Sequence, residues 1–376
     1  MNNQPLLPNQ PIINSGIQKK PLSRRKIIKW LLLTASILVG LLLLVLILAL
    51  DTLEVGIAAL FVGMIAATLP VPLYTALILW IDRFEHEPRY LLFACFLWGA
   101  TASIFIAMLV NTTVQITAGR FASTVISAPI IEEIAKAIVI FAIFFVKRDE
   151  FNGILDGIIY AAITALGFAL VENFSYYGRA FAGLFPGVGI GGAFFVRGIQ
   201  SPFLHPFFTS MTGIGLGWAA QTRNGFIRVL APLVGLGLAI FFHSLWNFSA
   251  VLNISNIIYF ILMAPALAVV LVIAGFALRR EKRIISGQLL GEVTAGRLTQ
   301  TEYEHLTSLH RRCAGSFRAL FSKGLSGWSA QRRCNQAASE LALQRHRAAE
   351  GNSVDTARLQ DCETAFAEFL QQTRQV

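Results

Sequence analysis

"VLAPLVGLGLAIFFHSLWNFSAVLNISNIIYFILMAPALAVVLVIAGFAL", residues 229–278, runs for 50 residues without an Asp, Glu, Lys or Arg. As one helix rising about 1.5 Å per residue it would reach about 75 Å, against a hydrocarbon core about 30 Å thick. It therefore holds two membrane crossings, divided near "NISN" (Asn253 to Asn256). Three more uncharged runs, Trp30 to Leu50, Val55 to Ile81 and Tyr90 to Gly119, are each long enough for one crossing. Segments at about Thr124 to Val146, Gly153 to Gly178 and Pro202 to Gln221 are equally apolar but carry isolated polar residues. The expected fold is an all-α, polytopic membrane helix bundle of about eight transmembrane helices.

Composition agrees. Of 376 residues, 55% are hydrophobic and only 14% charged, and the mean hydropathy is +0.62, outside the range of a soluble globular domain. Of the 52 charged residues, 25 lie from Arg279 onward. This divides the chain into a cytoplasmic N-terminal segment (1–29), a transmembrane domain (30–278) and a charged, helical cytoplasmic tail (279–376). The run from Trp30 follows a basic start and shows no small-residue cleavage pattern, so it reads as a retained anchor helix. With the N-terminus inside, sixteen Lys and Arg flanking the spans fall on the cytoplasmic side, and three (Arg120, Arg179, Arg197) fall outside. That bias gives N-in and C-in.

The net charge of +10 is explained by headgroup contacts and orientation. No aromatic-interleaved basic stretch or nucleic-acid-binding motif is present, so nucleic acid is not an expected partner. The four cysteines have no metal-ligand spacing, and three of them sit in the tail, in a reducing compartment.

An ionised side chain at the bilayer centre costs at least about 2.5–3.5 kcal/mol, so intramembrane ionisable residues are functional candidates. "SAPIIEEIAKAIVIF" (127–141) carries Glu132, Glu133 and Lys136; the next span carries Glu172 beside Asn173. His205 opens the sixth span, and the seventh holds His243 and Asn247. Counted from the outer helix ends at about 1.5 Å per residue, Glu132, Glu172 and His243 lie roughly 9–12 Å deep, and His205 lies near the same level. Four helices thus present acids or imidazoles at one depth. Lys136 is four residues from Glu132, a spacing that neutralises Glu132 in preference and leaves Glu133 the freer base. Asp156 begins its span and reads as structural, an acid at a helix N-terminus. Gly153 with Gly157, and Gly213 with Gly217, have the small-xxx-small spacing of close helix packing. The apolar, glycine-rich outer segment from Arg179 to Gln200 fits an interfacial loop or a gate.

Five motifs, in order, carry a resemblance: "DRFEHEP" (82–88), "APIIEEIAKA" (128–137), "DGIIYAAITALGFALVENFSYY" (156–177), "HPFFTSMTGIGLG" (205–217) and "HSLWN" (243–247). Together they resemble the PrsW intramembrane proteases, within the larger group of CAAX-prenyl endopeptidases and bacteriocin-processing proteins. The resemblance implies a peptidase of a bacterial plasma membrane that cleaves membrane-anchored substrates, such as anti-sigma factors, near the extracytoplasmic face. It places the catalytic set on Glu132, Glu133, Glu172, His205, His243 and Asn247.

Peptide hydrolysis needs an activated water, oxyanion stabilisation and a proton for the leaving amine. The Glu132/Glu133 pair supplies the base. The histidines have two readings: with Glu172, His205 and His243 form a zinc site with an open position, or with Asn247 they donate hydrogen bonds in a metal-free glutamate mechanism. Acids and imidazoles in a membrane also build proton-coupled transporters or channels, but no internal repeat accompanies them here. An inactive scaffold is the third class. The tail carries no catalytic motif and reads as a few short helices.

Overall fold

The computed structural model describes residues 24–185, 187–349 and 356–375; residues 1–23, most of the expected N-terminal segment, lie outside the described residues. All regular structure among the described residues is helical. The transmembrane part comprises α1 (Arg24–Val55), α2 (Ile57–Thr68), α3 (Val71–Ile81), α4 (Arg89–Trp98), α5 (Ile104–Phe121), α6 (Ala128–Val146), α7 (Ile154–Phe181), α8 (Ile190–Phe194), α9 (Leu204–Gln221), α10 (Gly225–Val251), α11 (Ser255–Ile258) and α12 (Ala264–Thr294). The tail adds α13 (Gln300–Thr307), α14 (Leu309–Ala349) and α15 (Thr356–Gln375).

Among the described residues, six helical stretches are long and apolar enough to cross a membrane, one of them the 58 residues Arg89–Val146. That stretch cannot be a single rod. Gly119 takes φ 86°, a left-handed conformation open to glycine, inside it. The chain then turns back, so that Ser123 Oγ donates to the Asn111 carbonyl at 2.8 Å and Ser127 Oγ to Asn111 Oδ1 at 2.8 Å. This stretch is thus a hairpin of two arms, and the 18-residue α9 packs inside the bundle beside the six apolar stretches. The expected break at "NISN" is present: α10 stops at Val251, Asn253 takes φ 55°, and the next helix starts at Ser255.

α7 is the axle of the bundle, with 89% of its most apolar window buried. Glycines let its neighbours reach it. A Cβ on Gly157 would collide with the Gly213 backbone of α9, and one on Gly217 with the Gly153 backbone, so the two small-xxx-small pairs face each other. Gly167 meets the Phe96 backbone of α4 in the same way. The first turn of α7 is held as its sequence suggests: Asp156 Oδ2 accepts from the Asn152 and Gly153 backbone amides at 2.5 and 3.0 Å.

The boundary expected at Arg279 falls inside α12, which runs unbroken to Thr294. Beyond, α13 is short, but α14 runs 41 residues with a kink at Gly324. The tail builds its own core around Leu289, Ala338, Leu341 and Ala342, and Phe84 from the membrane domain's 82–88 loop plugs into it. Arg332 donates to His86 Nε2 at 3.1 Å, and Arg347 donates to Glu85 Oε1 at 3.2 Å. Burial in this junction pushes the Asp82 carboxyl up to about 8. Burial and the surrounding arginines hold His86 down at about 4.

Candidate active site

Three helices carry the centre of the site. On α6, Glu132, Glu133 and Lys136 occupy one face, since residues three and four apart are helical neighbours, and all three are buried. α9 brings His205 and, one turn later, Thr209; α10 brings His243. α9 and α10 meet through Gly215 and Gly235, each against the other helix's backbone, and that proximity allows side chains on separate spans to hydrogen-bond.

Glu133 is fully engaged. Its Oε1 accepts from Lys136 Nζ at 2.8 Å and from His243 Nδ1 at 3.0 Å; its Oε2 accepts from Thr209 Oγ1 at 2.8 Å. Glu132 is the looser carboxylate: Lys136 Nζ is 3.5 Å and His243 Nε2 3.8 Å from its Oε2, which is buried without a hydrogen-bond partner. The spacing argument had assigned Lys136 to Glu132. In the structure Lys136 lies within ion-pair range of both but hydrogen-bonds Glu133, because Thr209 and His243 fix that carboxylate where the ammonium can reach it.

Donor and acceptor counting assigns a role to Nδ1 of each histidine. An ammonium only donates, so His205 Nδ1, 3.2 Å from Lys136 Nζ, accepts. Its Nε2–H then faces Glu172 Oε2 at 3.0 Å. His243 gives its Nδ1–H to Glu133, and its Nε2 lies 3.8 Å from Glu132 Oε2. Each imidazole is thus backed by a carboxylate, and the rings meet edge to face with centroids 5.2 Å apart. Phe168 lies under Lys136, its ring 4.0 Å from Nζ, and Phe208 stacks on His243 at 4.9 Å.

Glu172, on α7, completes the ring through an ion pair with Arg197. Arg197 Nε also donates to Asn173 Oδ1 at 2.5 Å, and its guanidinium lies 3.8 Å from the Tyr176 ring centre. The glycine-rich segment after α7 therefore folds inward and inserts its one arginine. Asn247 stands apart: its Nδ2 donates to the Thr124 carbonyl at 2.9 Å, tying α10 to the turn before α6. Sequence reasoning singled out Glu132, Glu133, Glu172, His205 and His243, and the fold gathers all five. It missed Thr209 and Arg197. Thr209 was discoverable as the residue one turn after His205, whereas Arg197 gave only the weak signal of a charge within an apolar segment.

Among the described residues, one group has the donors to hold a metal ion: Glu132, His205 and His243, whose ligand atoms all lie within 4.8 Å of one another. The partnerless Glu132 oxygen and the carboxylates behind both imidazoles suit such a group, but the Lys136 ammonium stands 3.2 Å from His205 Nδ1 and 3.5 Å from Glu132 Oε2 and would have to withdraw for an ion to bind. Glu172 sits on the far side of His205, paired with Arg197.

Six candidate membrane-crossing stretches among the described residues, packed around a buried carboxylate–imidazole cluster, define a multi-pass membrane protein. Residues 87–273 match the family model described as "PrsW family intramembrane metalloprotease", and over this region the chain is similar to the PrsW family. The chain is 36% identical over 99 residues to the protease PrsW of Geobacillus kaustophilus, covering 25% of this chain and 43% of that relative. It is 36% identical over 100 residues to the protease PrsW of Clostridioides difficile, covering 25% and 42%. It thus spans about two fifths of the length of these curated relatives. No solved structure matches it.

Proposed function

We propose that this protein is an intramembrane protease that hydrolyses peptide bonds of membrane-anchored, single-pass proteins near the extracytoplasmic face of a bacterial plasma membrane, with both of its own termini in the cytoplasm. The observation that carries the reading is the division of labour between adjacent carboxylates: Glu133 is held by three hydrogen bonds, while Glu132 keeps a buried oxygen with no partner.

Glu132 accepts the proton of a water placed against that oxygen, and the resulting nucleophile attacks the scissile carbonyl. Lys136, held by Glu133, faces the developing oxyanion with positive charge. The protonated Glu132 then returns its proton to the leaving amine. Glu133 and Thr209 orient Lys136 and His243, and Glu172 with Arg197 orients His205. The alternative metal reading is favoured by the Glu132/His205/His243 donor set; a zinc ion held there would supply Lewis-acid chemistry.

The test uses the full chain and a single-pass reporter substrate. Wild type is expected to cleave, Glu132→Gln to abolish cleavage, and Glu133→Gln and His243→Ala to weaken it strongly. Cleavage by all variants would remove these residues from the mechanism, and retention by Glu132→Gln with loss in Glu133→Gln would exchange their roles. Wild-type cleavage that survives exhaustive chelation would dispose of zinc.

A further inference from the structure

The halves of α6 and α10 that lie away from the active site diverge and leave a groove of about 400 Å³ floored by α9. Its floor is made of Leu216, Ala219 and Ala220. Phe141 and Phe144 form one wall, and Pro232 and Leu233 the other. Small residues on α9 make the depth: Ala219 is fully buried under the groove, while Phe145 and Leu233 at its lips are 57% and 58% exposed. Such lips in a membrane bundle face lipid.

One end of the groove is different in kind. Arg148 and Arg228 line it, at the level where α6 ends at Val146 and α10 begins at Gly225. Both are exposed and neither carries an ion pair among the described residues. Arg228 spends one N–H on the Thr222 carbonyl at 3.2 Å, which fixes its stem at the helix end and leaves the rest of the guanidinium fork free. Two unneutralised arginines at headgroup level, above an apolar slot at acyl-chain level, match one amphipathic molecule in both halves. The volume lies within the ~300–1,000 Å³ of small-molecule sites.

We propose that this groove is a binding site for an anionic phospholipid, with an acyl chain between the phenylalanines of α6 and the Pro232–Leu233 wall and the phosphate on Arg148 and Arg228. The site is separate from the acid–imidazole centre and does not rest on the protease reading.

The experiment titrates delipidated full-length protein in detergent with dioleoyl phosphatidylglycerol or dioleoyl phosphatidylcholine, reading bound lipid by native mass spectrometry. Wild type is expected to prefer the anionic lipid, and the double variant Arg148→Gln/Arg228→Gln to lose about 30-fold of that affinity, as expected from two basic residues at the surface. Ala220→Trp, which fills the slot and leaves both arginines, is expected to lose the bound anionic lipid too, with a thermal unfolding scan verifying that each variant is folded. Equal affinity of wild type for the two lipids would overturn the proposal without any variant. Undiminished preference in the double arginine variant would overturn the headgroup assignment, and undiminished binding in folded Ala220→Trp would overturn the groove.

Discussion

Lys136→Met, combined in double-mutant cycles with Glu133→Gln and with Glu132→Gln, measures which carboxylate owns the buried ammonium. The Nζ–O separations are 2.8 Å to Glu133 and 3.5 Å to Glu132. At an effective dielectric constant of about 20, the Coulomb attractions are about 6 and about 5 kcal/mol. Separation alone therefore favours Glu133 by about 1 kcal/mol. Only Glu133 also accepts a hydrogen bond from the ammonium, and a hydrogen bond to a charged group adds about 1.5–3 kcal/mol. The coupling with Glu133 should exceed that with Glu132 by about 3–4 kcal/mol. Lys136→Met alone should destabilise by about 3–5 kcal/mol, because it strands a buried charge, and adding Glu133→Gln should restore much of that loss. The assay is reversible unfolding of chelator-treated protein in mixed micelles, so that loss of a metal ligand does not enter the cycle. Equal couplings, or a larger one with Glu132, would refute the assignment of roles to the two glutamates.

Four further outcomes are expected. Arg197→Leu should lower reporter cleavage roughly 10–100-fold, the usual cost of losing a residue that orients a ligand or catalytic group, with Arg197→Lys restoring part of it; undiminished cleavage by Arg197→Leu would show that Glu172 holds His205 unaided. Gly157→Ala should cost about 1–3 kcal/mol of unfolding free energy, since the new methyl meets the Gly213 backbone, whereas Gly275→Ala, which meets nothing within 4 Å, should be neutral or slightly stabilising. The folded-state pKa of Asp82 is raised by burial to about 8, so its neutral form is the one the fold prefers; its contribution is fully present below about pH 4 and is lost as pH rises toward 8. Asp82→Asn should therefore gain stability over wild type progressively between pH 4 and 8 in unfolding scans, and a constant difference would contradict the raised pKa. Phe84→Ala, which empties a fully buried position in the tail's core, should cost about 3–5 kcal/mol and raise protease sensitivity of the tail.

Much of the architecture was legible because a membrane makes sequence simple. Residues 229–278 contain no charge, and no soluble fold tolerates such a run; the break at "NISN" and the packing glycines followed from length and residue size. The ionisable residues were legible as a set because each violates the same solvation rule. Side-chain pairing was not. Helical spacing allows Lys136 to meet either glutamate on α6, and the decision came from Thr209 and His243, residues 76 and 110 positions away. Arg197 escaped notice for a related reason: a lone charge in a loop has no partner until the loop folds back onto α7.

The sequence by itself determined that this is a helical membrane bundle with acids and imidazoles inside its apolar segments, because hydrophobic length and the cost of buried charge act along the chain and can be counted there. Only the tertiary structure decided that Glu133 is the carboxylate held by three hydrogen bonds and Glu132 the one with a buried oxygen left without one, that Glu172 belongs to Arg197 and His205, and that the tail locks onto the 82–88 loop. Hydrogen bonds form over about 3 Å, a distance set between helices by where glycines let backbones touch, and no linear spacing encodes it.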